Sequence, residues 1–99
     1  MEKLVIDKDS ILQKLNDVHS FPGPYLFKVI GPNSEDFVAR ILQAVINASG
    51  PDLEHEFTTR ESSGGKHLSV SITIQARNAD HVLEVYDMFS AISEIKFVL

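Results

Sequence analysis

An α+β fold of the ferredoxin-like βαββαβ type, a plait with one extra helix in front, is what this sequence predicts. Three observations carry the prediction. Phe21-Pro22-Gly23-Pro24-Tyr25-Leu26-Phe27-Lys28-Val29-Ile30-Gly31-Pro32-Asn33 reads as a strand fenced by prolines that leads into a helix cap. Residues 34–48 and 79–92 repeat apolar side chains at helical spacing. Between them, residues 54–61 and 67–76 read as a hairpin around Ser62-Ser63-Gly64-Gly65-Lys66. Right-handed crossovers then put two helices on one face of a four-stranded antiparallel sheet in the order 4-1-3-2.

Each element has its own local cause. Residues 8–18 carry Ile11, Leu12, Leu15 and Val18 on one stripe after a cap at Asp7 or Asp9. A helix that short must dock on something to persist. The first strand spans about Tyr25–Ile30, and Gly31 marks its exit toward a helix beginning near Asn33 or Ser34. In that helix Phe37, Val38, Ile41, Leu42, Val45 and Ile46 share a face, Glu35 and Asp36 favour the first turn, and Gly50-Pro51 closes the end. The third strand alternates Leu68, Val70, Ile72, Ile74 and Ala76 with Ser69, Ser71, Thr73 and Gln75. A turn at Gly64-Gly65 sets Phe57 opposite Ile72, Thr59 opposite Val70 and Arg60 opposite Ser69. Asn78 caps the last helix, whose stripe is Val82, Val85, Tyr86, Phe89 and Ile92, and a strand at about Ile95–Leu99 completes the sheet. The chain divides into an N-terminal segment, 1–20, and the plait, 21–99.

Composition narrows the function. Ninety-nine residues with 43% hydrophobic and 23% charged side chains make one globular domain. No cysteine is present, which excludes disulfides, thiolate metal sites and cysteine nucleophiles. A net charge of −5 argues against nucleic acid as partner, and strand three offers Ser69, Ser71 and Thr73 where an RNA-recognition sheet needs stacking aromatics. Met1–Asp7 has too short an apolar run for a signal peptide and no window reaches membrane-spanning length, so a cytoplasmic protein without a membrane role is expected.

The sheet face turned away from the helices is where recognition is expected. Strand parity puts Leu26, Lys28 and Ile30, then Lys96 and Val98, on that face, with Ser69, Ser71 and Thr73 beside them and Glu54, Glu56, Thr58 and Arg60 on the edge. Leu26, Ile30 and Val98 together call for a cover, either the 8–18 helix or a second subunit. Lys28 and Lys96 lie on adjacent strands and could hold an anion or a carboxylate, although two solvated lysines would look the same in sequence.

Other candidate chemistry is thin. His19, His55, His67 and His81 show no ligand spacing, so no metal or other cofactor is expected; His55 falls on the inner parity of an edge strand and reads as packed or half-buried, His67 on the outer side. The Ser62–Lys66 tip lacks the strand–loop–helix context of a phosphate loop, yet exposes many donors. Gly31-Pro32-Asn33-Ser34 precedes a helix N-terminus, where Glu35 and Asp36 disfavour an anion and simple capping is the leading explanation. No nucleophile–base pair or acid pair stands out, so an enzyme is not expected.

Phe21-Pro22-x-Pro24-x-x-Phe27-Lys28-Val29-Ile30-Gly31 and Ser62-Ser63-x-Gly65-Lys66-x-x-Ser69-Val70-Ser71-Ile72, with the terminal Phe97-Val98-Leu99, resemble the YbeD-like family of small bacterial proteins over about residues 11–99. The resemblance implies an ACT-like plait, similar to regulatory domains that bind small molecules, often amino acids, at subunit interfaces. It directs attention to Lys28, Gly31, Ser62, Gly65 and Ser69, and the family often has an aromatic where this chain has His67. The expected function is a non-catalytic regulatory or sensor module, with a small molecule at the first loop or a homodimer interface. The alternative is a protein-interaction adaptor using the open sheet face or an edge strand. Candidate binding residues are Lys28, Gly31, Asn33, Ser62, Gly65, Lys66, His67, Ser69 and Lys96.

Overall fold

Alternation along two central strands decides the layering of this protein, seen in a computed structural model that describes residues 8–99. The elements are α1 (Lys8–Val18), β1 (Gly23–Pro32), α2 (Glu35–Ser49), β2 (His55–Glu61), β3 (His67–Ala76), α3 (Ala79–Ser90) and β4 (Phe97–Val98). The sheet runs β2-β3-β1-β4 with all pairings antiparallel, which is the expected plait read from the other edge. Phe27 and Val29 of β1 and Leu68, Val70, Ile72 and Ile74 of β3 point to one side and are buried. There they meet Phe37, Ile41 and Val45 of α2 and Val82, Val85 and Phe89 of α3. Each such side chain contributes about 1.5–3 kcal/mol of burial energy.

The hairpin register matches the expectation residue for residue: Phe57 pairs with Ile72, Thr59 with Val70 and Arg60 with Ser69. Ser34 caps α2 by accepting the Phe37 N–H at 3.1 Å, and Asn78 caps α3 by accepting the His81 N–H at 2.8 Å.

Several boundaries and faces differ from the sequence reading. β1 continues through Gly31 and Pro32, which pair with Leu68 and His67, so Gly31 is a strand residue and the turn begins at Asn33. Its φ is not positive. Glycine is needed there because Phe37 packs flush against the backbone: a Cβ on Gly31 would lie 2.3–2.8 Å from the end of that ring. His55 is exposed, its Nδ1 3.1 Å from the Leu53 carbonyl, because α2 and α3 do not extend over β2, whose seven residues are all exposed.

The last strand corrects the open face. β4 pairs Val98 with Val29 and Phe97 with Ile30, and Lys28 and Leu99 exchange backbone hydrogen bonds of 3.2 and 2.8 Å. Antiparallel partners share a side, so Phe97 and Leu99 stand with Ile30 and Lys28, while Val98 takes the parity of buried Val29. The expected Val98 placement fails because the irregular segment before this two-residue strand sets its phase, and periodicity cannot count through it.

α1 does not cover the open face either. It packs against α3, and Leu15 joins the core. His19, just after it, packs its ring at a tilt against Tyr25 at 4.9 Å between centroids, and Tyr25 continues to Phe27 at the same distance. These rings are on the helix side of the sheet. Val18, expected on the docking stripe, is 77% exposed. The alternative cap at Asp7 lies outside the described residues.

A basic cavity on the open sheet face

The two loops that flank β1 and β3 meet in space. The hairpin closes with a turn in which the Gly65 N–H donates to the Ser62 carbonyl at 2.9 Å, Gly65 adopting φ +72. That left-handed conformation favours glycine. Ser62 then clamps the base of the hairpin: its N–H donates to the His67 carbonyl at 2.9 Å, and its Oγ accepts the His67 N–H at 3.1 Å. Asn33, at the end of β1, donates its amide Nδ2 to the Gly65 carbonyl at 2.9 Å and its backbone N–H to the Lys66 carbonyl at 3.3 Å. Asn33 therefore fixes the hairpin tip against the β1–α2 loop.

Below that clamp, an open cavity of about 520 Å³ occupies the outer face of the sheet. Its size is that of a small-molecule site. Lys28, Arg60 and Lys96 line it with Ser62, His67 and Ser69, and with Ile30 and Phe97 as the apolar part, while Leu68, whose side chain is in the core, borders it from β3. Glu61 is the one carboxylate in the lining. No ion pair engages Lys28, Arg60 or Lys96 among the described residues, where the only salt bridge joins Arg40 to Glu94. Lys96 reaches the cavity from the bend before β4, its N–H anchored on the Ile30 carbonyl at 2.8 Å.

Of the candidate residues read from the sequence, Lys28, Ser62, His67, Ser69 and Lys96 come together in this lining. Asn33, Gly65 and Lys66 form the clamp beside it. Gly31 is buried against Phe37 and is not part of this lining. Arg60, Glu61, Leu68 and Phe97 were not singled out as site residues. Arg60 was legible in principle, since the hairpin register already set it opposite Ser69.

An independent polar cluster ties the far ends of both long helices together. His81, buried on α3, accepts the Arg77 N–H at Nδ1 (3.0 Å), and its Nε2 is 2.6 Å from Ser49 Oγ at the end of α2. Burial, with the Arg77 charge assisting and Glu84 opposing, holds the His81 pKa below its ordinary value. A serine and a histidine at this distance resemble a nucleophile and its base, but the ring has the wrong polarity. A backbone N–H can only donate, so Nδ1 is the acceptor, and the proton of the neutral ring is on Nε2, pointing at Ser49. The pair is a latch between helix ends. At the opposite end Tyr25 and Tyr86 share a hydroxyl hydrogen bond of 3.1 Å, and burial followed by that bond pushes the Tyr86 pKa up.

Replacing Asn33 by Ala should free the hairpin tip without disturbing the core, at a cost of about 1 kcal/mol. Amide exchange at Gly64–His67 should accelerate while exchange at Val70–Ile74 stays slow. Unchanged exchange at the tip would remove Asn33 from this role.

Comparison with known proteins agrees with this architecture. Residues 16–99 match the family model described as protein of unknown function (DUF493). Over 86 residues the chain is 33% identical to the UPF0250 protein YbeD of Escherichia coli O1:K1 / APEC, covering 87% of this chain and 97% of that protein. The same identity and coverage hold for a UPF0250 protein of Citrobacter koseri and for YbeD of Salmonella arizonae. Among solved structures, the solution structure of protein HP0495 from H. pylori superimposes with a TM-score of 0.65 at 17% identity, covering 82% of this chain and 85% of that one, a likeness of fold. By its plait, its motifs and these relatives, the chain belongs to the DUF493 family.

Proposed function

We propose that this protein is a non-catalytic binding module, regulatory or sensory in role, that takes a small anionic molecule in the cavity on its open sheet face. The observation that carries the reading is the local reversal of charge. In a chain of net charge −5, three cations line one half-apolar hollow with a single carboxylate among them. Cations brought together repel one another, and an anion bound among them would relieve that cost while gaining charge-assisted hydrogen bonds. The likeness to ACT-type regulatory domains supports the reading at the level of fold alone. Among the described residues, the Ser49–His81 pair has the wrong polarity for a nucleophile and its base, which supports a binding role.

The test is a ¹⁵N NMR titration with a panel of organic acids and amino acids at millimolar concentration. Saturable shifts should cluster at Lys28, Ser62, Ser69 and Phe97, and Lys28→Gln should weaken binding by roughly tenfold. A panel that moves none of these amides rejects the reading. The exposed apolar strip of Leu26, Phe97 and Leu99 beside the cavity favours a second reading, a protein-interaction adaptor. A stoichiometric partner retained without any organic acid, and lost on Phe97→Ser, would select it.

A further inference from the structure

We infer that the cavity selects an organic dicarboxylate whose two charges are held apart by an apolar spacer, over a monoacid of the same carbon count. The inference rests on the anion-binding reading above and concerns the arrangement of charge within that site. The register sets the positions of the cations. Arg60 of β2 pairs with Ser69 of β3, Ser69 pairs with Ile30 of β1, and Ile30 pairs with Phe97 of β4. All four stand in one row on the same face, and all four line the cavity. Arg60 is thus two strands from Ile30, about 10 Å along the hydrogen-bonding direction. Lys96 is attached on the other side of Ile30, through its N–H on the Ile30 carbonyl. Lys28 is in the neighbouring row, opposite Ser71.

Positive charge therefore stands on Arg60 at the β2 end of the row and on Lys28 and Lys96 at its β1–β4 side, with Ser69 and Ile30 between and Phe97 alongside. A head-and-tail monoacid would satisfy one end and leave the other cation facing an apolar tail. A compact anion such as phosphate would leave the apolar floor unused. A dicarboxylate with several methylenes between its acids matches all three parts: Arg60 takes one carboxylate in bidentate fashion, Lys28 and Lys96 take the other, and the spacer lies on Ile30 with the Phe97 ring alongside. Ser69, midway, adds a hydroxyl on the path.

The experiment compares adipate with hexanoate, which have equal carbon counts, and with inorganic phosphate, by NMR titration of the full chain. Adipate should bind at least about tenfold more tightly than hexanoate. Arg60→Gln should remove that advantage while leaving hexanoate binding within about twofold, because only the second carboxylate reaches Arg60. Arg60→Met, which keeps the apolar stem, should behave in the same way. Equal affinity for adipate and hexanoate overturns the inference and leaves the anion site standing. Phosphate binding as tightly as adipate, or an adipate advantage that survives Arg60→Gln, overturns it as well. If none of the three anions binds while amino acids or other acids of the wider panel do, the inference fails alone; if nothing binds, both readings fail.

Discussion

Gly31→Ala should destabilise the fold by about 1–3 kcal/mol, the usual cost of overpacking a filled core. An alanine in a strand normally does the opposite. Where φ is not positive, replacing glycine restricts the unfolded chain and stabilises by about 0.4–1 kcal/mol. Gly31 has no positive φ, so backbone conformation gives no reason for a loss. The loss comes from Phe37, whose Cζ would be 2.3 Å from the new methyl group. Phe37 is fully buried and belongs to the cluster that joins α2 to the sheet, so its ring can retreat only by displacing other core side chains. For a domain of this size each kcal/mol corresponds to roughly 4–8 °C in Tm. Phe37→Leu provides the control. It should cost less in the Gly31→Ala background than in the parent, since the shorter side chain vacates the contested space. Thermal and denaturant unfolding of the four proteins measure this coupling. A Gly31→Ala protein as stable as the parent would show that the contact is not tight in solution.

That glycine also shows where sequence reasoning ran out. Its position was legible, but the cause inferred for it was a turn, because glycine between a strand and a helix so often marks one. Recognising the actual cause requires knowing that Phe37, one turn into α2, returns onto the strand. The plait itself was readable because three independent patterns agreed: helical stripes in α2 and α3, strict alternation in β3, and a hairpin turn whose register kept the apolar partners on one side. The cavity was half readable. Lys28 and Ser69 follow from strand parity, and Ser62 and His67 from the hairpin; Lys96 reaches the cavity from the bend before β4, not through the strand phase that misplaced Val98. Phe97 does not follow from parity, because β4 is two residues long and its phase is set by an irregular approach. Nor could local sequence bring Asn33 onto the hairpin tip, since that hydrogen bond spans 32 positions along the chain. The covering role considered for α1 fails for a related reason: amphipathicity shows that a helix docks, and the His19–Tyr25 contact decides on which side.

The latch at His81 should make the stability of this protein fall with acid, and His81→Leu should both weaken the fold and flatten that dependence. The ring is 1% exposed and joins three elements: Asn78 caps α3 through the His81 N–H, Arg77 just after β3 donates its N–H to Nδ1, and Ser49 of α2 accepts from Nε2. Arg77 reinforces the junction through Nη1, which donates to the Ser49 carbonyl at 3.0 Å. Leucine keeps most of the volume but removes the part-buried hydrogen bonds to the Arg77 N–H and the Ser49 hydroxyl, at about 0.5–1.5 kcal/mol for each. Protonation attacks the same point, because a proton on Nδ1 takes the place of the Arg77 N–H. The folded pKa is below the ordinary 6.5, so the unfolded chain binds the proton first as pH drops. The stabilisation is therefore complete above the unfolded value. It is lost progressively as pH falls from there toward the depressed folded value. Arg77 deepens the depression and Glu84 opposes it, so Glu84→Gln should extend the loss to lower pH. Denaturant midpoints at a series of pH values measure the slope. An acid limb equally steep in His81→Leu would assign the dependence to other groups, the carboxylates first among them.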